Sequence, residues 1–219
     1  MIQLDNVVKV YRRGGREVRA LDGVSLSVGA GEFAAVEGPS GSGKTTLLFI
    51  AAALVRPTSG RVVAADADLT GKSAAELAEM RKTTFGFVFQ TFHLIPYLNA
   101  AQNVMVPMGL AGVPPKDAAA RAAALLERFG LADRAEHHPA ELSAGEKQRV
   151  AIARAVANRP PIVLADEPTG NLDARSAEDV LAALSEIHKG GTTVLVVSHD
   201  ARIAARAERV FRLEKGRLV

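Results

Sequence analysis

The segment from residue 38 to residue 45 constrains this chain most, because it reads Gly-Pro-Ser-Gly-Ser-Gly-Lys-Thr and matches the pattern Gly-x-x-x-x-Gly-Lys-Ser/Thr. The apolar run from Phe33 to Val36 before it is typical of a buried strand, and the residues from Lys44 to Leu54 favour a helix. This strand–loop–helix context predicts a loop whose backbone N–H groups surround a phosphate chain. An ordinary Gly/Ser loop is the simpler alternative, which the complete match in this context argues against.

The residue types of the loop indicate a nucleoside triphosphate as its ligand. Glycines let consecutive N–H groups point inward, Lys44 supplies a positive charge for the β- and γ-phosphates, and the Thr45 hydroxyl is suited to bind Mg²⁺. The expected nucleotide-binding residues are Gly38, Pro39, Ser40, Gly41, Ser42, Gly43, Lys44, Thr45 and Thr46.

Composition limits the other classes of function. The 219 residues suffice for one large α/β domain or two small ones, and the absence of cysteine excludes disulfides, thiolate metal sites and cysteine nucleophiles. Aromatic residues make up 5% and tryptophan is absent, so we expect no specific nucleic-acid partner. No apolar run approaches the ~18 residues of a membrane span, and the first five residues do not resemble a signal peptide. We therefore expect a soluble chain that is not exported.

The pattern of apolar residues predicts alternating strands and helices, and therefore a doubly wound, mostly parallel sheet. The expected strands are 2–11, 24–28, 33–36, 61–63, 85–89, 162–165 and 193–197, with a closing hairpin at 210–219. The expected helices are 44–54, 73–81, 116–129, 150–157 and 173–189. Residues 91–115 are rich in Pro, Gly and Met, and we expect a helical insertion that begins near residue 92 and reaches about residue 139.

Two carboxylates end the apolar strand that begins at Ile162. Because ligands of α/β sheets bind at the carboxyl ends of strands, Asp166 is placed to hold Mg²⁺ through water, opposite Thr45. Glu167 is then free to act as general base on an attacking water. The alternative is an acidic pair that only caps the next turn.

A second helix start follows Leu142. Ser143 and Glu146 have the spacing of a capping box, which is the structural interpretation. The functional interpretation is that Ser143 and an exposed Gly145 amide receive a phosphate at the helix N-terminus.

Six elements occur in one order: the phosphate loop, Gln90 after an apolar strand, Leu-Ser-x-Gly, Asp-Glu after a strand, Leu172-Asp173, and His199 after another strand. Together they resemble the ATP-binding cassette (ABC) ATPases over nearly the whole chain. The resemblance implies the α/β fold of P-loop NTPases in its ABC ATPase form: a mostly parallel core sheet, an antiparallel β subdomain and an inserted α-helical subdomain. It also implies one domain over residues 1–219, with the helical subdomain at about 92–159.

The resemblance assigns a role to each matching residue. Tyr11 would stack on adenine, Gln90 would contact Mg²⁺ and the attacking water, and His199 would contact the γ-phosphate. The implied catalytic residues are Glu167, His199 and Gln90, and the implied Mg²⁺ ligands are Thr45, Gln90 and Asp166. ATP and Mg²⁺ are the expected cofactors.

The resemblance also implies a pair of subunits. The signature segment, which comprises Ser143, Ala144, Gly145 and Glu146, would serve the nucleotide held by the opposite subunit, and Asp173 would lie at the dimer contact. Two ATP molecules would then lie between two head-to-tail copies. The usual family signature is Leu-Ser-Gly-Gly-Gln, so this chain departs from it at Ala144 and Glu146.

The leading functional hypothesis is an ATPase subunit, peripheral on the inner face of the cell membrane, that powers a separate transmembrane permease. Three segments look like the lipoprotein-releasing and macrolide-exporter group: residues 38–43 of the loop, residues 87–90 with 92–96, and residues 168–173. The alternatives are a soluble ABC protein of DNA repair or translation, and a nucleotide or small-molecule kinase. The resemblance implies that the permease contacts the segment from Gln90 to Met108. We expect some of its apolar residues to pack inside the helical subdomain and the others to form an exposed patch; they are Phe92, Leu94, Ile95, Leu98, Val104, Met105 and Met108.

Overall fold

The computed structural model describes residues 1–219, with the exception of the Arg13 side chain, and its strands alternate with helices. The strands are β1 (Ile2–Arg13), β2 (Arg16–Val28), β3 (Phe33–Glu37), β4 (Ser59–Ala64), β5 (Ala67–Asp68), β6 (Phe85–Val88), β7 (Ile162–Asp166), β8 (Thr193–Val197), β9 (Arg209–Glu214) and β10 (Arg217–Leu218). The helices are α1 (Lys44–Ala51), α2 (Ala74–Thr84), α3 (Ala100–Leu110), α4 (Pro115–Arg128), α5 (Ala144–Ala155), α6 (Ala174–Lys189) and α7 (Ala201–Ala204).

The larger sheet has the strand order β10-β9-β3-β8-β7-β6 and is mostly parallel. β3 pairs in parallel with β8 and β9, β7 pairs in parallel with β6 and β8, and the β9–β10 hairpin is antiparallel. Residues 33–36, 162–165 and 193–197 are buried throughout, as expected for parallel strands covered on both faces. The predicted α/β class and mostly parallel core sheet are therefore confirmed.

Alternate residues of the central strands enter two separate hydrophobic cores. Ala35, Val163 and Val196 face a core formed with α3, α4, α5 and α6. Ala34 and Val197 face a second core, which α1 and the smaller sheet complete. This division follows from the two-residue period of a strand. Because β3, β8 and β7 are parallel, the carboxyl ends of β3 and β7 lie at the same edge of the sheet, next to the start of α1.

The smaller sheet has the order β2-β1-β4-β5 and is antiparallel. Apolar residues alternate along β1 and β2, and their inward side chains, such as Ile2, Leu4 and Val24, are buried. The predicted strand at 24–28 is only the end of β2, which begins at Arg16. Residues 16–19 are all exposed and only Val18 is apolar, so they carry no alternating signal from which a strand could be predicted.

The segment after Gln90 contains a helix that the sequence analysis did not assign. Helix α3 includes Pro107, yet a capping box between Asn99 and Gln102 starts it. Its buried residues include Val104 and Met108, so these two side chains belong to the core and not to an exposed partner surface. Helix α1 also ends earlier than expected, at Ala51 instead of Leu54.

A buried asparagine fixes the loop that leads into α3. Asn103 is fully buried, and its Nδ2 donates to the carbonyls of Leu98 and Asn99 at 2.9 and 3.0 Å. Its Oδ1 accepts a hydrogen bond from the Ile95 backbone N–H at 2.7 Å. Because the side chain satisfies backbone groups that the loop itself leaves unpaired, residues 95–99 can lie against the helix without a regular structure. None of the described helices is long and apolar enough to cross a membrane.

The N-terminus of α5 is closed by the capping box predicted between Ser143 and Glu146. Glu146 N–H donates to Ser143 Oγ at 3.3 Å, and Ser143 N–H donates to Glu146 Oε2 at 2.8 Å. Arg134 Nε also donates to Glu146 Oε1 at 2.9 Å. The backbone hydrogen bond from Ser143, with smaller help from Arg134, lowers the pKa of Glu146 from 4.5 to about 2.

We expect Glu146→Gln to remove a contribution to stability that depends on pH. Because the folded protein lowers the pKa of Glu146, this contribution is complete above pH 4.5 and is lost as the pH falls towards 2. The variant should unfold about 0.5–1 kcal/mol more easily than the wild type at pH 7, because glutamine can keep the cap hydrogen bond but loses the charge beside Arg134, and the difference should shrink between pH 4.5 and 2. Urea unfolding at pH 7 and pH 3 measures it, and an equal difference at both pH values would contradict the assignment.

Candidate functional site

A cavity of about 790 Å³ lies at the carboxyl ends of β3 and β7. The start of α1, the β1–β2 hairpin and the segments that follow β6, β7 and β8 close its sides. Its lining residues include Tyr11, the whole segment from Gly38 to Thr46, Gln90, Asp166, Glu167 and His199. The structure therefore brings together the predicted nucleotide-binding, catalytic and metal-binding residues of this chain.

Two glycines let the phosphate loop pass close to neighbouring backbone. A Cβ atom on Gly38 would collide with the Leu213 carbonyl, and one on Gly43 would collide with the Ala20 carbonyl. Gly43 also has φ of 106°, which residues with a side chain rarely adopt. The loop shape thus depends on glycine at these positions, and the next residue begins α1, whose N-terminus favours an anion.

Lys44 lies across the inside of this loop. Its ammonium donates to the Gly38 and Pro39 carbonyls at 2.8 and 3.1 Å, and its Nζ is 4.0 Å from Glu167 Oε1. The side chain is 9% exposed, so little water competes for this charge. A phosphate that enters the loop would meet a cation that is already oriented by two carbonyls.

Thr45 and Asp166 face each other as expected for a metal site. Thr45 Oγ1 donates to Asp166 Oδ1 at 3.2 Å. Neighbouring oxygens around one Mg²⁺ lie about 3 Å apart when each bond is about 2.1 Å, so the chemistry and spacing of these two oxygens are compatible with a Mg²⁺ site. Burial raises the pKa of Asp166, while the Thr45 hydroxyl lowers it, and the charge of Glu167 adds to the increase. A cation at this position would relieve that cost.

The Glu167 carboxylate is held by the residues that follow β8. Ser198 Oγ donates to Glu167 Oε2 at 2.9 Å, and the backbone N–H of His199 lies 3.3 Å from the same oxygen. His199 Nδ1 is also 2.9 Å from it, although the imidazole is 72% exposed. Glu167 has φ of 44°, a strained conformation for a non-glycine residue that is typical of functional positions.

Gln90 and Tyr11 complete opposite sides of the cavity. The Gln90 side chain lies over Gly170, where an added Cβ would come within 2.9 Å of Nε2. Tyr11 is near the tip of the β1–β2 hairpin and is 39% exposed. Lys9 Nζ is 4.9 Å from the centre of its ring. One ring face is thus covered by a cation, and the phenol lines the cavity.

The signature segment does not line this cavity. Ser143 and Ala144 are exposed at the start of α5, away from the described lining of the cavity. Gly145 was expected to be exposed but is buried, because it packs against the first turn of α6, where an added Cβ would lie 2.6 Å from Ser176 Oγ.

Asp173 also lies outside the cavity lining and forms the N-cap of α6. It accepts hydrogen bonds from the backbone of Arg175 and Ser176 at 3.0 and 2.9 Å, and Ser176 Oγ donates to it at 2.7 Å. The Ser176 backbone hydrogen bond is the main reason that the pKa of Asp173 is lowered. Asp173 and Gly145 are both next to Ser176, so the start of α5 and the start of α6 lie side by side.

Sequence reasoning missed two residues that support the site. Ser198 is buried and holds Glu167; its place directly before His199 at a strand end was the available signal. Gln148 is buried in α5 and donates to the carbonyls of Phe89 and Pro168 at 3.2 and 2.8 Å. A polar residue on the apolar side of a helix was the signal here, but its partners are distant in sequence.

Comparison with known proteins identifies the family. Residues 21–170 match the family described as "ABC transporter". The ABC transporter ATP-binding protein YvrO of Bacillus subtilis is 50% identical over 220 residues, which cover 100% of this chain and 96% of YvrO. The macrolide export ATP-binding/permease protein MacB of Shigella flexneri is 45% identical over 219 residues, and the chain spans 34% of that protein.

Solved structures agree with the sequence relatives. The dimeric structure of MJ0796, described as a bacterial ABC transporter cassette, has a TM-score of 0.92 and 41% identity, covering 100% of this chain and 96% of that one. A dimeric post-hydrolysis state of the ATP-binding cassette MJ0796 bound to ADP and Pi has the same TM-score and 40% identity. These relatives give no support to a role in DNA repair or translation. The chain belongs to the ABC transporter family, as an ATP-binding subunit with ATPase activity.

Proposed function

We propose that this chain hydrolyses MgATP as one of two head-to-tail copies and thereby drives a separate transmembrane permease. The observation that carries the proposal is the separation of two half-sites on one chain. The phosphate loop and the acidic pair line one cavity, whereas the signature segment lies on another surface, with its serine exposed. MJ0796, at 40% identity, is described as a dimer bound to ADP and Pi, which supports a paired arrangement for this chain.

Within the cavity, we assign the triphosphate to the backbone of Gly38–Thr46 and to Lys44. Thr45, Asp166 and Gln90 would hold Mg²⁺, which would neutralise charge on the phosphate oxygens. Tyr11 would stack on adenine, and His199 would contact the γ-phosphate.

Glu167 is assigned as the general base. It would accept a proton from water as the water oxygen attacks the γ-phosphorus and the bond to the ADP oxygen breaks. The products are ADP and phosphate. Its support is geometric: the carboxylate lies beside Lys44 and lines the cavity.

The second copy would contribute its signature segment to each cavity. Ser143, Ala144, Gly145 and Glu146 would approach the γ-phosphate side of the opposite nucleotide, and Asp173 would lie at the contact between copies. The N-terminus of α5 supplies a positive dipole end for this purpose, and its serine is accessible. We propose accordingly that residues 1–219 form one ATP-binding domain with a helical subdomain at about 92–159.

A groove beside β6 is the proposed permease contact. It has a volume of about 500 Å³, and its lining combines Phe85, Phe87 and Phe89 with Val106 and Leu110. β6 is the edge strand of the larger sheet, and Leu110 is 65% exposed at the rim. An apolar groove of this kind fits an amphipathic helix. Phe89 of the groove directly precedes Gln90, which lines the nucleotide cavity. A permease helix bound in the groove would therefore be next to a residue of that cavity. The chain would then lie on the inner face of the membrane.

Two variants separate nucleotide binding from catalysis. Lys44→Ala removes the cation of the loop, so ATP affinity should fall at least about tenfold and hydrolysis should be lost. A charged hydrogen-bond partner of this kind is worth about 1.5–3 kcal/mol.

Glu167→Gln keeps the shape of the site but removes the base, so ATP affinity should stay within about twofold while turnover falls about 10²-fold or more. Calorimetry and phosphate release measure both, and near-normal hydrolysis by Glu167→Gln would remove Glu167 from this role.

The paired arrangement is tested with Ser143→Arg. In the Glu167→Gln background, ATP should convert monomers into dimers, and Ser143→Arg should prevent this because its bulk and length block the nucleotide of the other copy. ATP binding by the monomer should not change. Light scattering gives the mass, and Ala123→Arg, on the exposed part of α4, is the matched control. Dimerisation that survives Ser143→Arg would count against the head-to-tail model.

The permease contact is tested with Leu110→Asp. The charge should reduce binding to membranes that contain the permease by about tenfold, because it places a carboxylate in an apolar interface. Val219→Asp is the matched control, since Val219 is 73% exposed and outside the described groove. The measurement is the fraction of tagged protein that sediments with membranes of the source cells. Equal sedimentation of both variants would place the contact elsewhere.

A further inference from the structure

One buried glutamine of α5 joins the two segments that carry the proposed catalytic groups. Gln148 is 0% exposed, and its Nε2 donates to the Phe89 carbonyl at 3.2 Å and to the Pro168 carbonyl at 2.8 Å. Phe89 directly precedes Gln90, and Pro168 directly follows Glu167. A single amide group therefore fixes the spacing between the segment of Gln90 and the segment of Glu167.

The same helix holds the far side of the Gln90 segment. Arg154 donates to the Phe92 and His93 carbonyls at 2.7 and 2.5 Å. Phe92 and His93 have φ values of 60° and 46°, a left-handed conformation that persists in such residues only where surrounding contacts hold it. Residues 89–93 are thus attached to α5 at both ends and should move with it.

Helix α5 begins at the signature segment. A ligand that binds this segment would therefore act on the N-terminus of the same helix that holds residues 89–93. Gln148 follows the N-cap Ser143 by about 7.5 Å along the axis, a distance over which a helix transmits displacement as a rigid body. Gln148 Oε1 is buried without a hydrogen-bond partner among the described side chains. Such an unpaired acceptor is uncommon in a core, and an apolar side chain of the same size would avoid it.

We propose that Gln148 is a positioning residue that makes hydrolysis in its own chain depend on the nucleotide of the second copy. When Ser143 engages that nucleotide, α5 shifts, and Gln148 carries the shift to the Phe89 and Pro168 carbonyls. Gln90 and Glu167 then reach their working positions together. This proposal deepens the proposed function and depends on the head-to-tail pair.

The test is Gln148→Met, which keeps the length and volume of the side chain but removes both hydrogen bonds. Three quantities are measured on the full chain: ATP affinity of the monomer, ATP-driven dimerisation in the Glu167→Gln background, and kcat of the otherwise unsubstituted protein. We expect the first two to stay within about twofold, since the phosphate loop and signature segment are untouched, and kcat to fall at least about tenfold. Gln148→Leu, which also lacks both donors and adds no charge to the core, should lower kcat in the same direction if the methionine variant is poorly folded.

A matched control separates this role from a general loss of packing. Val150→Ala also removes buried contacts of α5 but leaves the Gln148 hydrogen bonds to both carbonyls in place, so it should keep kcat within about twofold. The proposal is overturned if Gln148→Met retains kcat, or if it loses dimerisation and kcat in the same proportion. Failure of the paired arrangement is detected separately, because Ser143→Arg would then dimerise and hydrolyse ATP like the unsubstituted protein.

Discussion

The close approach of the phosphate loop to two backbone carbonyls is the constraint on which the site depends. Gly38 lies against the Leu213 carbonyl of β9 and Gly43 against the Ala20 carbonyl of β2, with no space for a Cβ atom at either position. The Gly216 N–H donates to the Ser42 carbonyl at 2.9 Å, and the Asp22 N–H donates to the Gly216 carbonyl at 2.8 Å. The loop is therefore held between the closing hairpin and the antiparallel sheet, and this also brings the β1–β2 hairpin to the cavity.

Much of this arrangement was predictable because its causes are local. The loop pattern, the apolar strands and the capping box at Ser143 involve neighbouring residues, and the structure contains each of them. The proximity of Asp166 and Thr45 could be predicted because parallel strands end at one edge of a sheet. By contrast, α3 contains Pro107 and a buried asparagine, so its sequence lacks the signal of an ordinary amphipathic helix.

What could not be predicted is the set of buried polar contacts between distant segments. Gln148 bonds carbonyls that lie 59 and 20 residues away, and Asn158 Nδ2 donates to Lys82 and Pro107 carbonyls at 2.7 and 2.8 Å. Backbone carbonyls carry no residue-specific signal, so no pattern in the sequence reveals that they are acceptors. The buried state of Gly145 has the same origin, because it depends on Ser176 in another helix.

The contacts of Glu167 connect these packing details with the proposed chemistry. Its Oε2 receives the Ser198 hydroxyl and lies 2.9 Å from His199 Nδ1. Under the proposed roles, His199 would leave this carboxylate when it turns to the γ-phosphate, and Glu167 would lose one donor at that moment. That oxygen of Glu167 would then be open to the attacking water when the phosphate is in place, while buried Ser198 keeps the carboxylate oriented. Such an arrangement would limit hydrolysis to a fully assembled site, which a subunit that couples ATP to a partner requires.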